Sequence, residues 1–302
     1  MMKSAQFAPL KMACALWLLA IISPNLSLAQ QQPALRLWFA APAVINPAMT
    51  GEEKRNSVSM WHRRQWVNGL NGPIASALVG QFSPAPKIGL GFNFTRQSAV
   101  ALKQSDLRFQ FAYAARLTER TSLRAGGALG FVTRRLDLGS ADYSNDPAIL
   151  AAADGVFGVS GALGLALVSG PWQAGVSFPT VVSQRSFLSD RISGLSYSQW
   201  LNQFYSVRYR QTGSARPVTL EAWAGYTFNR NLSSYGELGA NVWYKQLFNI
   251  GCSWHQSFGL AGFTGFQFPF GGALTYSYEP GLLAQYGGSP SHEIQLRMNL
   301  VR

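Results

Sequence analysis

The sequence predicts an all-β protein, a transmembrane antiparallel β-barrel of fourteen strands behind a signal peptide. Three observations carry that reading. The chain opens on a charged, then apolar, then small-residue leader. Apolar and polar residues then alternate with period two in segments of about 10 residues, the length a tilted membrane strand needs. Charged residues make up only 13% of the chain, about half the usual share of a soluble domain.

The leader comes first. Lys3 and Lys11 supply the positive region, residues 12–22 the apolar run, and Ser27-Leu28-Ala29 the small-x-small cleavage site. The expected division is therefore a signal peptide at 1–29, an N-terminal segment at 30–54 and a barrel at 55–302. The apolar run is shorter than the ~20 residues a helical span requires. Cys14 lies inside that run, not at its end, which speaks against a lipoprotein anchor. Cys252 is the only other cysteine, so no internal disulfide follows in the exported chain. Pairing of every backbone group between strands of a closed sheet must supply the stability instead.

Residues 30–54 lack clear alternation, and two readings are open. They form an exposed leader before the first strand, or they fold into the barrel mouth with Trp38, Phe39, Val44 and Ile45 inside. The second is preferred, because so many exposed apolar residues would be a liability.

The strand cores follow in order: 55–66, 73–83, 87–97, 105–117, 121–135, 155–168, 171–183, 202–211, 217–228, 231–244, 247–256, 258–268, 272–279 and 291–301. Segment 105–117 is the clearest. Leu107, Phe109, Phe111, Tyr113, Ala115 and Leu117 share one face, and Arg108, Gln110, Ala112, Ala114 and Arg116 share the other. A soluble sandwich alternates in the same way. Aromatic bulk on the apolar faces and small residues such as Gly126, Ala128 and Gly130 on the inner faces favour the membrane barrel. The weakest segments are 202–211 and 258–268, the latter blurred by its glycines. Residues 258–278 carry no charge and would score as a membrane helix, yet Pro269 and the β-rich aromatics point to a hairpin.

Turns sort by length. Short ones fall at 83–86, 118–121, 169–171, 244–246 and 269–272, and longer ones at 138–155, 184–200 and 280–291. Outer-membrane barrels place short turns in the periplasm and long loops outside. An even strand count then puts both chain termini on the periplasmic side of the bacterial outer membrane.

The formal net charge is +12. Its arginines are scattered at strand spacing and form no block, and export argues against nucleic acid as a partner. Arg108, Arg116, Arg124, Arg134 and Arg297 fall on inner faces. Such side chains fill a lumen and hydrogen-bond across it; they could also select anions or dock acidic segments. The structural role is preferred.

Several stretches in order now resemble one family. Ile45-Asn46-Pro47-Ala48-Met49-Thr50-Gly51 is similar to the INPAxxG opening of the PorP/SprF family, outer-membrane proteins of the type IX secretion system in Bacteroidetes. The likeness continues through Arg64-Gln65-Trp66-Val67, Gly72-Pro73 and Ile88-Gly89-Leu90-Gly91. Residues 142–148 resemble the family's NDPAF loop, and 240–245, 265–267, 276–279 and 291–294 follow in the right sequence. Three departures stand out: Leu35-Arg36-Leu37-Trp38-Phe39 replaces an aromatic-rich stretch, 184–217 matches little, and the chain ends in Val301-Arg302 without a terminal aromatic.

The resemblance implies a component of protein secretion, of surface attachment of cargo, or of gliding motility, and no catalysis. It implies outer-membrane lipids, periplasmic ring or lipoprotein components, and secreted cargo proteins or adhesins as partners. Asn46, Pro47, Ala48, Gly51, Arg64, Gln65, Trp66, Gly72 and Pro73 would then be motif positions, shaping the barrel entrance more than touching a partner. Asn46-Pro47 is a turn dipeptide, and Gly51 can take a positive φ.

Other chemistry is weakly supported. His62, His255 and His292 are the only histidines. His62 and His292 would become neighbours at barrel closure, but no motif marks a nucleophile beside them. Neither a metal cluster nor a cofactor motif is evident; Asp142, Asp146 and Asp154 in one loop lack the further oxygens Ca²⁺ needs. The competing function is a passive transporter for hydrophobic or anionic small molecules.

Overall fold

A computed structural model describes residues 35–67, 72–99, 102–136, 155–183, 202–211, 217–229, 234–281 and 289–300. The leader, the 142–148 motif with Asp142, Asp146 and Asp154, and most of 184–217 lie outside them.

Fourteen strands close into one antiparallel barrel. They are β1 (Ser57–Arg64), β2 (Ile74–Ala85), β3 (Ile88–Ala99), β4 (Leu102–Arg116), β5 (Thr121–Leu136), β6 (Val156–Ser169) and β7 (Trp172–Ser183). Then come β8 (Gln203–Arg210), β9 (Val218–Phe228), β10 (Tyr235–Tyr244), β11 (Phe248–His255), β12 (Gly259–Gln267), β13 (Gly272–Glu279) and β14 (Ser291–Asn299). Each pairs with its sequence neighbours, and β1 closes on β14 with Ser57 opposite Asn299 and Arg64 opposite His292. The charge-free 258–278 stretch is the β12–β13 hairpin.

Alternation now has a physical meaning on both faces. Outward, Phe109, Phe111 and Tyr113 of β4 are about half exposed, as are Leu129 and Phe131 of β5. That apolar belt belongs against hydrocarbon, where leaving it in water would be costly. Inward, Asp106, Gln110 and Ala112 of β4 are buried.

Strands are linked at one rim by tight turns after β2, β4, β6, β10 and β12. At Lys245 and Gln246 both φ angles are positive, 50° and 56°, in a turn closed by Leu247 N–H on Tyr244 O whose twist matches the strands. The opposite rim carries the long connections, although β3–β4 and β11–β12 are joined briefly there too. β3 and β4 pair out to Ala99 and Leu102, so this hairpin extends beyond the expected strand ends.

Inside the barrel lie residues 35–56, folded as three 3-10 turns, Trp38–Ala40, Pro42–Val44 and Pro47–Met49. Two of these begin on proline at the first helical position, where its missing N–H costs nothing. The segment runs from rim to rim. Arg36 bonds Glu279 and Glu293 at the long-loop end, while Glu53 meets Arg297 and Arg210 at the short-turn end. The barrel's own ends, Ser57 and Asn299, lie together at the short-turn rim. The first described residues therefore lie at the long-loop rim, and the chain crosses to the short-turn rim before β1. An ion pair to Glu279 and a backbone hydrogen bond to Glu293 hold Arg36 at the loop rim, so the chain passes down the lumen before starting β1.

Candidate functional site

The lumen and the segment that fills it form the site, built in four layers. At the loop rim two arginines and two glutamates make a buried cluster. Arg36 donates from Nε and Nη2 to Glu279 at 2.8 and 2.6 Å. Arg63 on β1 donates to the same Glu279 oxygen at 3.1 Å and to Glu293 at 3.3 Å. Glu293 also accepts from the backbone N–H groups of Arg36 and Leu37, at 2.8 and 2.9 Å. Burial pulls the Arg36 guanidinium below its ordinary range, against the opposing pull of Glu279. All four side chains are at most 3% exposed, and such charges persist only when paired and hydrogen-bonded.

The middle layer is apolar. Leu37, Trp38 and Phe39 pack against Trp61, Val79, Phe204, Trp223 and Phe263 of the wall. Phe39 stacks on Trp223 with centroids 3.6 Å apart, and Trp38 meets Phe204 edge-on at 5.2 Å. Burying one such side chain contributes about 1.5–3 kcal/mol.

Below it sits the Asn46–Gly51 stretch. Asn46 caps the third 3-10 turn by accepting from Ala48 N–H at 2.9 Å. Its amide nitrogen donates to the carbonyls of Leu165 and Val176, a wall contact to β6 and β7. Small wall residues make room for this approach. A Cβ on Gly126 would sit 2.5 Å from Pro47 and Ala48 backbone atoms, and one on Gly164 would lie 2.0 Å from Asn46 Oδ1. Arg124 donates to the carbonyls of Ala48 and Thr50 at 2.8 and 2.7 Å. Gln110 donates to Ala43 O and accepts from the Thr50 hydroxyl. Gly51 takes φ +69° against Gly89, donating its N–H to Gln81 while its carbonyl accepts from Ser83.

At the short-turn rim Glu53 pairs with Arg297 and Arg210. Burial alone would raise its carboxyl, but the two guanidiniums outweigh it and hold Glu53 well below the ordinary carboxylate range. Glu52 shifts the other way, raised by burial and then by the neighbouring Glu53 charge. Arg208 pairs with Glu221 beside them.

The remaining motif positions gather at the loop rim. Arg64 points outward and is exposed. Gln65 is buried, and its N–H donates to Pro73 O at 2.9 Å. Trp66 adopts φ +51°, its N–H reaching Ser291 Oγ. Gly72 lies so close to Gln65 O that a Cβ would come within 2.0 Å. These residues tie the start of the β1–β2 loop to β14, apart from the Asn46–Gly51 seat.

Of the inner-face arginines, Arg124 and Arg297 reach residues 35–56. Arg108 instead bonds Asp106, Ser160 and Pro179 O, joining β4 to β6 and β7 within the wall. Arg134 bonds Gln104 on the adjacent strand. Arg116 departs from expectation: it ends β4 at the rim, is exposed, and folds over the carbonyls of Thr118 and Glu119. Correct parity alone could not show that the strand had run out of barrel. Sequence reasoning did not single out Arg36, Arg63, Glu53, Glu279 and Glu293. Their signal was charge at inner-face parity or within the N-terminal segment, and Glu279 and Glu293 also lie in the family-like stretches 276–279 and 291–294.

His62 and His292 do lie on adjacent strands, but each has its own partner, Ser76 and Tyr276. His255 is buried beside Phe258 and Tyr235. Among the described residues no group of three or more His, Cys, Asp or Glu could hold a metal ion.

A fourteen-stranded barrel with an apolar outer belt and a filled lumen defines an outer-membrane β-barrel protein. Residues 27–298 match the model of the type IX secretion system membrane protein PorP/SprF, and the chain belongs to that family. No curated protein matches it. Among solved structures it is similar to the CymD monoaromatic hydrocarbon channel, with 14% identity, TM-score 0.49, and coverage of 87% of this chain and 93% of that one. It is similar to the P. putida toluene transporter TodX at 10% identity, TM-score 0.49, covering 87% and 94%. Omp33 of Acinetobacter baumannii follows at 8%, TM-score 0.47, covering 82% and 98%.

Proposed function

We propose that this chain serves the type IX secretion system as a plugged scaffold that works by binding partners, neither as an enzyme nor as an open pore. The observation that carries this is the filled lumen: residues 35–56 are anchored at both rims by ion pairs and along their middle by stacked aromatics. A segment so bound leaves the two rims as working surfaces. The short-turn rim would meet periplasmic ring or lipoprotein components, and the loop rim would hold secreted cargo or an adhesin.

Affinity purification from native membranes tests the reading. Co-recovery of secretion components supports it; a clean preparation lacking them, from a chain that remains folded, counts against it. Reconstituted bilayers separate it from the transporter alternative, because a plugged barrel should be electrically silent where a transporter conducts or takes up solute.

A further inference from the structure

Beside residues 39–55 the short-turn half of the lumen keeps a cavity of about 90 Å³. About 10–15 Å³ of such space holds one water, so a carboxylate with its stem fits. Four arginines and two glutamates line it: Arg55, Arg208, Arg210 and Arg297 against Glu53 and Glu221. The ion pairs use both acids, Glu221 on Arg208 and Glu53 shared between Arg210 and Arg297. Positive charge is left over. Arg55 is exposed at the rim and has no ion-pair partner among the described residues.

Unmet polar atoms line the same space. Gln295 Nε2, Trp243 Nε1 and Arg297 Nε are donors without an acceptor, and Asn249 Oδ1 and Asn299 Oδ1 are acceptors without a donor. Gln295 is 2% exposed and Asn249 1%. Buried groups of this kind are costly to leave unpaired, so five around one cavity point to a ligand that satisfies them.

We infer that this cavity binds an acidic side chain of a peptide segment presented at the short-turn rim by a periplasmic partner. The surplus guanidinium charge and the three donors select a carboxylate. The amide oxygens of Asn249 and Asn299 accept from backbone N–H groups, which a peptide has and an inorganic anion lacks. Arg55 at the mouth draws the acidic chain in. The inference rests on the binding role proposed above and gives that partner a chemistry.

The test uses the full chain in detergent micelles and isothermal titration calorimetry with a blocked tetraglutamate peptide. Blocked tetraglutamine, acetate and inorganic phosphate serve as comparisons. Tetraglutamate should bind, should weaken with added salt, and should lose about tenfold or more in affinity in Arg55→Gln and in Gln295→Leu. Arg55→Gln changes an exposed side chain, so it reports on the site even if Gln295→Leu disturbs the fold. Absence of tetraglutamate binding, binding as tight by tetraglutamine or phosphate, or indifference to Arg55→Gln overturns the inference. Purification from native membranes is run in parallel: recovery of secretion components without tetraglutamate binding sinks this site and leaves the scaffold role standing.

Discussion

Gly126→Ala should loosen the lumenal segment while leaving the barrel closed. The added Cβ would lie 2.5 Å from Ala48 N and from the Pro47 carbonyl carbon and oxygen. All three are backbone atoms, so no side-chain rotation relieves the clash, and the third 3-10 turn must lift off β5. Overpacking of this kind costs about 1–3 kcal/mol. The lift also stretches the bonds from Arg124 to the carbonyls of Ala48 and Thr50, and hydrogen bonds to charged groups contribute about 1.5–3 kcal/mol each. Losing one of them as well brings the penalty to about 2.5–6 kcal/mol. That raises the undocked fraction by about two orders of magnitude or more. Gly262→Ala is the control, since its Cβ would meet nothing within 4 Å. Limited proteolysis in micelles should cut near residues 46–52 faster in Gly126→Ala, with heat-modifiable mobility unchanged, and planar bilayers should show new conductance. Equal protection of the two variants would refute the seat as described.

Three further outcomes follow from the same contacts. Glu279→Gln removes the negative charge shared by Arg36 and Arg63; breaking a buried pair from one side costs about 3–5 kcal/mol, to be seen as a lower midpoint in urea denaturation. Glu53 has its carboxyl depressed by Arg297 and Arg210, so its contribution is present above the ordinary carboxylate range and fades only as pH falls through its lower folded value. Protease protection of residues 50–56 should therefore persist below about pH 4 in the native chain and be lost at higher pH in Arg297→Gln. Cys252 is exposed on the outward face of β11; a membrane-permeant maleimide should label it in native membranes and a bulky hydrophilic one should not, and the reverse would place that face in water.

Period-two alternation carried the wall because it reports one local property, which face of a strand is apolar. Leu107–Leu117 needed no knowledge of the rest of the chain, since lipid imposes the same demand on every outward position. The small residues of β5 and β6 had a second cause that alternation cannot express. Gly126 and Gly164 are small because Asn46 and Pro47, far away in sequence, rest on them. The resemblance in the Asn46–Gly51 motif marked one side of that contact, and the wall's glycines are its other half. Charge behaves in the same way. Arg63, Glu279 and Glu293 are ordinary inner-face residues in a strand-by-strand reading, and only barrel closure, with Arg63 opposite Glu293 on β14, makes them a cluster around Arg36. The lumenal segment lacks a period because its side chains answer to a surrounding wall on all sides. Its proline-started turns and buried Trp38 and Phe39 become intelligible once that wall is closed. A plug is legible in such a sequence as an apolar, aperiodic stretch ahead of the first strand, and its direction of travel is not. That direction is set by where its charges find partners: Arg36 among the acids of the loop rim, Glu53 among the arginines of the other.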